Sequence, residues 1–190
     1  SGFMLKPFKK LNSNLFGVEP SSKFREYTNN IDIKTFKNID DAIKLKKNSI
    51  DLLLHYYVLE HIDNPILFLK KIMKLLKKNG LMIFEVPNIN DPLITIFKTK
   101  NFDNFYWSVV HHWYFSAFTL GNLLKKNNFK FSFYFDQRYD LSNHITWMKD
   151  GTPGGSGKYN NIFSKKLITL YKNNLIKSGF CDTLGVIIRK

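Results

Sequence analysis

Hydrophobic and polar positions along this chain alternate between the spacing of buried strands and that of amphipathic helices. Residues 49–54 are predominantly apolar, which is typical of a parallel strand covered on both faces. Apolar residues then repeat at helical spacing from Pro65 to a predicted stop at Gly80. Residues 81–86 predict the next buried strand. A strand, a helix and a strand in this order predict a right-handed parallel crossover unit.

The same patterns predict further elements on both sides of this unit. Upstream they predict a helix at 3–11, a strand at 14–18, a loop with a helical turn at 21–29, a strand at 34–36 and a helix from Asp40. Downstream they predict a helix at 119–127, a strand at 130–135, a flexible loop at 150–157, a helix at 162–177 and a strand at 184–188. We therefore expect an α/β fold with a doubly wound, mostly parallel sheet.

Residues 90–116 interrupt this pattern and are rich in aromatic residues and histidines. They include Phe102, Phe105, Tyr106, Trp107, His111, His112, Trp113, Tyr114 and Phe115. Long irregular insertions near strand ends often form lids over a site. We predict a lid insertion at 90–116 within a single domain that spans 1–190.

The composition limits the class of protein. A chain of 190 residues with 44% hydrophobic residues can form the core of one domain. It contains no apolar run of about 18 residues and no signal-peptide pattern, so we expect a cytoplasmic protein. Cys181 is the only cysteine, which excludes an internal disulfide and a multi-thiolate metal site.

The net charge of +14 could indicate a partner that carries phosphates. Nearly all of the excess is lysine, however, and lysine, asparagine, isoleucine and phenylalanine are enriched together, as an A+T-rich coding sequence would produce. We interpret the charge as a solvated surface rather than a nucleic-acid patch. An anionic small-molecule substrate remains compatible with it.

A glycine and a carboxylate at the start of the chain have the spacing of a nucleoside site. Gly2 would open a helix, and Glu19 follows the next predicted strand, close to the roughly 20 residues that such a unit needs. The helix start faces polar ligand groups, and the acid takes the ribose hydroxyls. The strand before this glycine would lie ahead of Ser1.

Four short motifs follow in order. They are G-V-E-P-S at 17–21, V-L-E-H-I at 58–62, N-G-L at 79–81 and E-V-P-N at 85–88. With them, residues 1–135 resemble a class I S-adenosylmethionine-dependent methyltransferase, in the small-molecule branch that carries V-L-E-H. The resemblance implies a Rossmann-like fold whose last strand is antiparallel. It also implies that the first strand and most of the glycine-rich loop precede this stretch.

The resemblance implies S-adenosylmethionine as the cofactor and a set of residues that bind it. Glu19, next to Pro20, would accept hydrogen bonds from the ribose hydroxyls, and Gly2 with Phe3 would approach the methionine part. Asp40 and Asp41 are the acids nearest to the adenine loop, although they could equally cap a helix. His55 and Tyr56 end a strand and would lie near the transferred methyl group.

The resemblance also selects histidines for proton transfer. His61 matches the family's Glu-His pair and could act as a base or orient a neighbouring loop. His111 and His112 are further candidates, of which at most one is expected to serve, because adjacent side chains point in different directions. Five histidines without clustered carboxylates or thiolates do not indicate a metal site.

Substrate residues are predicted downstream. Trp113 and Tyr114 could stack on a sugar or nucleotide ring or fill a small core in the lid. Arg138, Asn143 and His144 offer donors for phosphates or hydroxyls. Segments 137–144, 147–155 and 182–184 resemble bacterial methyltransferases of surface-carbohydrate pathways, which implies a small acceptor that is anionic or linked to a carbohydrate or nucleotide.

Three alternatives remain open at this point. A nucleic-acid methyltransferase or RNA-binding protein would suit the charge, but H-Y-Y-V at 55–58 replaces the proline-rich motif of base-amine methyltransferases. A nicotinamide dehydrogenase shares the glycine and the ribose acid but not V-L-E-H or E-V-P-N. A non-catalytic, truncated methyltransferase-like domain would explain the absent loop.

Overall fold

The computed structural model describes residues 4–11 and 14–190. The predicted cofactor residues Gly2 and Phe3 lie outside these ranges. The strands are β1 (Phe16–Val18), β2 (Lys34–Phe36), β3 (Ile50–Tyr56), β4 (Leu76–Pro87), β5 (Phe131–Asp136) and β6 (Thr183–Arg189). The α-helices are α1 (Ser22–Asn30), α2 (Ile39–Lys46), α3 (Pro65–Ile72), α4 (Pro92–Thr95), α5 (Lys100–Tyr106), α6 (Ala117–Lys126), α7 (Leu141–Asp150) and α8 (Lys165–Ser178). Short 3₁₀ turns occur at Lys6–Leu11, Leu59–His61 and Met73–Leu75.

Strands of the described chain form two sheets. The larger has the order β3-β4-β6-β5, in which β3 and β4 are parallel and β6 is antiparallel to both of its neighbours. The smaller consists of β1 and β2 in parallel. In the larger sheet β3, β4 and β5 therefore point one way and only β6 is reversed. This confirms the predicted α/β class and the antiparallel last strand.

The main core lies on one face of the larger sheet. Met82, Phe84 and Val86 alternate along β4 and are fully buried, as the two-residue period of a strand requires. The apolar residues of α3 and α6 pack in the same cluster, which also contains Leu184, Val186 and Ile188 of β6. Burial of each large apolar side chain contributes about 1.5–3 kcal/mol, so this cluster holds the sheet and both helices together.

A second cluster attaches the small sheet to the large one. Phe36 of β2, Ala42 of α2 and Leu75 are buried together, and Leu53 of β3 packs against them. Phe16 of β1 joins this cluster and meets the Phe36 ring edge-on at 5.5 Å. The carboxyl ends of β1 and β3 are thereby fixed within one framework.

The predicted helix from Pro65 to Gly80 is shorter than the apolar pattern suggests. The α-helix ends at Ile72, and Leu76 already pairs with Ile50 of β3. The amides of residues 48 and 49 donate to the carbonyls of residues 74 and 75, so strand pairing replaces helical hydrogen bonds here. Gly80 instead allows a close approach to β3, since a Cβ there would lie 3.0 Å from the Ile50 carbonyl oxygen.

Two helices of the structure were not predicted as helices from the sequence. The segment predicted as a loop with a helical turn is the nine-residue helix α1, and Ser21 caps its start. Helix α7 was not predicted, although Asp140 accepts a hydrogen bond from the Asn143 amide at its start and Gly151 ends it in the left-handed conformation. Asp before a helix and Gly after it are the standard boundary residues, so the signal was present in the sequence.

Candidate active site

The candidate site lies at the carboxyl ends of the parallel strands, where ligands collect in α/β sheets. Glu19 directly follows β1 and is half-buried, and its amide donates to the Phe36 carbonyl oxygen of β2 at 2.9 Å. Its carboxylate accepts the Ser21 amide at 3.0 Å. Arg25 of α1 donates to the carbonyl oxygens of Glu19 and of the exposed Pro20. Several hydrogen bonds therefore fix the turn that carries Glu19.

Asp40 and Asp41 lie in the first turn of α2. Asp41 accepts a hydrogen bond from the Asn38 side chain at 2.9 Å, and Asn38 caps the helix. Asp40 is exposed and pairs with Lys71 of α3 at 2.8 Å. These contacts are those of a helix start, and a role for either acid in binding adenine stays a prediction.

His55 and Tyr56 end β3 in different environments. The His55 ring stacks on Phe84 at 4.7 Å and meets Phe68 edge-on at 5.7 Å. Burial lowers the pKa of His55 to about 3, so its imidazole is neutral at ordinary pH. Tyr56 is half-buried, and burial followed by the nearby charge of Glu85 raises the pKa of its hydroxyl.

Three side chains converge where the turn after β3 meets the segment 90–116, which was predicted as a lid and is called the lid segment below. Glu60 is 1% exposed, and neither carboxylate oxygen has a hydrogen-bond partner among the residues described. His61 Nε2 lies 3.9 Å from Glu60 Oε1, and the rings of His61 and His111 are 4.7 Å apart. Burial raises the pKa of Glu60, while burial and the neighbouring His61 lower the pKa of His111.

Backbone and side-chain hydrogen bonds join residues 60–63, in the turn after β3, to residues 112 and 113. The Glu60 carbonyl oxygen accepts the amides of His112 and Trp113, at 2.8 and 3.2 Å. The Trp113 indole donates to the carbonyl oxygens of Ile62 and Asp63. The imidazole of His112 also contacts the carboxylate of Asp63 through Nδ1. The histidines predicted to be catalytic therefore occupy one region, although 50 residues separate them in the chain.

Residues 90–116, which were predicted as a lid, form a small aromatic cluster together with α7. Phe102, Tyr106 and Leu93 are buried with Trp147 of α7, and Tyr114 packs against this cluster. The Tyr114 hydroxyl donates to carbonyl oxygens of residues 106 and 108. Tyr114 and Trp113 were both predicted to stack on a substrate. Tyr114 packs and hydrogen-bonds within residues 90–116, whereas Trp113 is 40% exposed.

A polar network closes the carboxyl end of the larger sheet. Arg138 contacts the carboxylate of the buried Glu85, and its guanidinium lies 4.4 Å above the ring of Tyr57. The Tyr134 hydroxyl donates to Glu85 at 2.8 Å. Asp182 accepts the amides of residues 138 and 139, which fixes the turn after β5. Arg138 is therefore held by the framework, and its predicted contact with a substrate stays a prediction.

Asn143 and His144 face inward from α7. Asn143 is 2% exposed and donates to the Gly154 carbonyl oxygen at 2.6 Å. His144 is fully buried, with Nδ1 2.6 Å from the Tyr171 hydroxyl, and burial lowers its pKa to about 4. Both side chains connect α7 to the segments that follow it. Their predicted role as substrate donors stays a prediction.

Comparison with known proteins identifies the family. The family model described as "Methyltransferase domain" matches residues 1–131. The chain belongs to the methyltransferase-domain family. This confirms the resemblance that the motifs of Gly17 to Asn88 indicated.

Individual relatives of this methyltransferase domain are distant. A ubiquinone biosynthesis O-methyltransferase of Pelagibacter ubique is 28% identical over 98 residues, which is 46% of this chain and 38% of that protein. The chain thus spans well under half of the length of this relative. A SAM-dependent methyltransferase from Archaeoglobus fulgidus superimposes with a TM-score of 0.61 at 17% identity, over 100% of this chain and 81% of that one.

A further solved structure has the same fold. The plantazolicin methyltransferase BpumL, in complex with triazolic desmethylPZN analog and SAH, superimposes with a TM-score of 0.59 at 13% identity, over 100% of this chain and 72% of that one. At these identities the structural likeness confirms the Rossmann-like fold. None of the described helices of this methyltransferase domain has both the length and the apolar character needed to cross a bilayer.

Several residues of the site were not selected by sequence reasoning. Glu85 and Asp182 stood within quoted motifs but had no assigned role, and Tyr57 was named only as part of H-Y-Y-V. Tyr57 has a φ of +53°, which is uncommon for a bulky residue and marks the sharp turn at the end of β3. These residues form the polar network through contacts between distant parts of the chain, and no local sequence pattern predicts such contacts.

Proposed function

We propose that this methyltransferase domain binds S-adenosylmethionine and transfers its methyl group to an oxygen or nitrogen of a small acceptor. Family membership and the position of Glu19 support this proposal. Solved structures with the same fold are described as SAM-dependent or as complexes with SAH. Because the chain covers only part of its curated relative, the activity of the whole protein belongs to the proposal.

The observation that carries the proposal is the carboxylate at the end of β1. Glu19 is half-buried at the carboxyl edge of a parallel strand, beside the neighbouring strand end at Phe36. A carboxylate can accept hydrogen bonds from two adjacent hydroxyls at once, as the ribose of a nucleoside presents them. The residues present at this edge therefore fit the nucleoside part of the cofactor.

The remaining chemistry requires alignment and removal of one proton. S-adenosylmethionine supplies an electrophilic methyl group when it is bound. The side chains of the site orient the acceptor and exclude water, since an in-line displacement depends mainly on alignment. Among the predicted histidines, His112 has a carboxylate, Asp63, against its Nδ1. This pairing leaves Nε2 as the nitrogen that takes the proton of an acceptor hydroxyl.

The acceptor in this proposal is a small anionic molecule that contains a sugar linked to a nucleotide. The net charge of +14 is compatible with an anionic acceptor, and the exposed indole of Trp113 beside the histidines offers a flat surface for a sugar ring. The alternative acceptor is a phenol, because the curated relative is named as a ubiquinone biosynthesis O-methyltransferase.

Calorimetric titration with S-adenosylmethionine tests the cofactor site. Glu19→Ala should weaken binding by about 1.5–3 kcal/mol, the contribution of hydrogen bonds to a charged group, which is roughly 10- to 150-fold in Kd. Glu26→Ala is the matched control, since Glu26 is an exposed acid on the nearby helix α1. Equal affinities for the two variants would reject the role of Glu19.

A panel of acceptors tests the reaction and the acceptor class. UDP-glucose and catechol are incubated with the chain and S-adenosylmethionine, and formation of S-adenosylhomocysteine is measured. We expect turnover with the nucleotide sugar, and turnover with catechol alone would overturn the assigned class. With the active acceptor, His112→Asn should lower the rate by about 10²-fold or more while cofactor affinity stays unchanged.

A further inference from the structure

The buried carboxylate of Glu60 lacks the partners that such a group normally has. Both of its oxygens are shielded from solvent and make no hydrogen bond with any residue in the described ranges. An unpaired buried carboxylate is unfavourable by several kcal/mol, so native proteins pair it, protonate it or place it against a cation. Two imidazoles, those of His61 and His111, lie close to it, and each provides a lone pair when it is neutral.

One imidazole is oriented toward this carboxylate, and the other lies beside it. His61 donates through Nδ1 to the Val110 carbonyl oxygen at 2.9 Å, which leaves the lone pair of Nε2 on the side of Glu60. A carbonyl on the other ring nitrogen is the usual way of orienting a metal-bound histidine. His111 Nδ1 is buried and has no hydrogen-bond partner among the residues described.

The distances allow one ion to contact all three groups. Ligand atoms of Glu60, His61 and His111 all lie within 4.8 Å of one another. His61 Nε2 and Glu60 Oε1 are 3.9 Å apart, which is too long for a hydrogen bond but accommodates an ion at about 2.0–2.2 Å from each. Both imidazoles reach solvent, so an ion can approach this group from outside.

We propose that Glu60, His61 and His111 bind a divalent first-row transition-metal ion. Two imidazoles and one carboxylate suit Zn²⁺ and Co²⁺, whereas Mg²⁺ and Ca²⁺ prefer oxygen ligands. The ion would join the turn after β3 to residue 111 of the lid segment and would keep positions open for further ligands. This site goes beyond the proposed methyl transfer and does not depend on it.

Sequence reasoning missed this arrangement because the carboxylate and one histidine are far apart in the chain. Glu60 and His61 are adjacent, but His111 reaches them only because the Glu60 carbonyl oxygen holds the amides of the two residues that follow it. The cluster therefore depends on the docking of the lid segment. An ion that binds it should stabilise that docking.

Metal titration of the chain, purified without a histidine tag and stripped with a chelator, tests the site. We expect Zn²⁺ and Co²⁺ to bind with one-to-one stoichiometry by calorimetry, Co²⁺ to develop visible absorption bands, and Mg²⁺ to bind far more weakly. Zn²⁺ should also raise the unfolding temperature in a concentration-dependent way. Hydrogen exchange at residues 107–113 should slow on addition of Zn²⁺.

Variants assign the binding to these residues. Glu60→Gln keeps the shape of the side chain, and His111→Asn alters a half-buried ring; each should weaken Zn²⁺ binding by at least about tenfold. His112→Asn is the matched control and should bind Zn²⁺ as the unmodified chain does. Circular dichroism verifies folding, and His111→Asn keeps the test valid if Glu60→Gln unfolds. Absence of saturable binding, or equal loss in the His112 control, would overturn the proposal.

Discussion

Burial of His144 makes the stability of this domain depend on pH in a calculable way. The imidazole is fully buried on α7 and lies 2.6 Å from the Tyr171 hydroxyl. Burial lowers its pKa from 6.5 to about 4, with the charge of Asp140 opposing the shift. His144→Gln is the informative change, because glutamine can still hydrogen-bond to Tyr171 but does not titrate.

The sign and size of the effect follow from the two pKa values. Below pH 6.5 the unfolded chain binds a proton at His144, whereas the folded chain does so only near pH 4. The stability contributed by the neutral imidazole is therefore complete above pH 6.5 and is lost as the pH falls toward 4. The loss reaches about 2 kcal/mol at pH 5 and about 3 kcal/mol at pH 4, at roughly 1.36 kcal/mol per pH unit.

Urea unfolding followed by circular dichroism, at pH 8 and pH 5, measures this effect. Other groups titrate in the same range, including Asp91, whose pKa burial raises to about 7. Their contributions cancel when the pH dependence of the variant is subtracted from that of the unmodified chain. Tyr171→Phe serves as the control, because it loses a hydrogen bond but keeps the buried imidazole and hence the pH dependence. The same pH dependence in His144→Gln as in the unmodified chain would refute the reasoning.

Three further substitutions test the framework around the site by equilibrium unfolding. Gly185→Ala would place a Cβ about 2.1 Å from the Tyr134 ring and should destabilise by about 1–3 kcal/mol; an unchanged midpoint would contradict that contact. Asp140→Ala removes the cap of α7 and should cost about 1–2 kcal/mol, whereas Asp140→Asn should retain most of it. Arg138→Met leaves a buried carboxylate on Glu85 and, because the guanidinium is partly exposed, should cost about 1–2 kcal/mol. Neutralising Glu85 in the same chain should recover part of this loss, and strict additivity of the two changes would contradict their coupling.

Periodic apolar patterns predicted most strands well, because each of these segments shows the spacing of only one type of element. The strand at Lys34–Phe36 was predicted with its observed bounds, and β3, β5 and β6 were predicted within two residues at each end. Besides α1 and α7, the main difference was the end of α3, where apolar residues continue at helical spacing into β4. Pairing of Leu76 with Ile50 decides that boundary, and such a long-range contact is not visible in the local pattern.

Sequence reasoning predicted a site at the carboxyl ends of the parallel strands but could not assign its chemistry. The V-L-E-H motif directed attention to Glu60 and His61, and the ring-rich segment to His111. Their convergence depends on backbone hydrogen bonds between segments 50 residues apart. In the sequence the five histidines showed no cluster with carboxylates, which argued against a metal; the fold brings His111 next to the adjacent pair Glu60 and His61.

The five histidines of this chain illustrate why residue type alone does not define a role. His55 and His144 lie in apolar or internally bonded surroundings that hold them neutral, so they contribute packing and pH sensitivity. His61, His111 and His112 lie close together, but their surroundings differ. The His61 ring is bonded to a carbonyl oxygen, the Nδ1 of His111 is buried without a partner among the described residues, and the His112 ring contacts an exposed carboxylate. A base needs an oriented ring with a free nitrogen, and a metal site needs lone pairs that converge. The partner of each ring is the basis for proposing proton transfer at His112 and metal binding at His61 and His111, and substitution of single histidines can separate the two proposed roles experimentally.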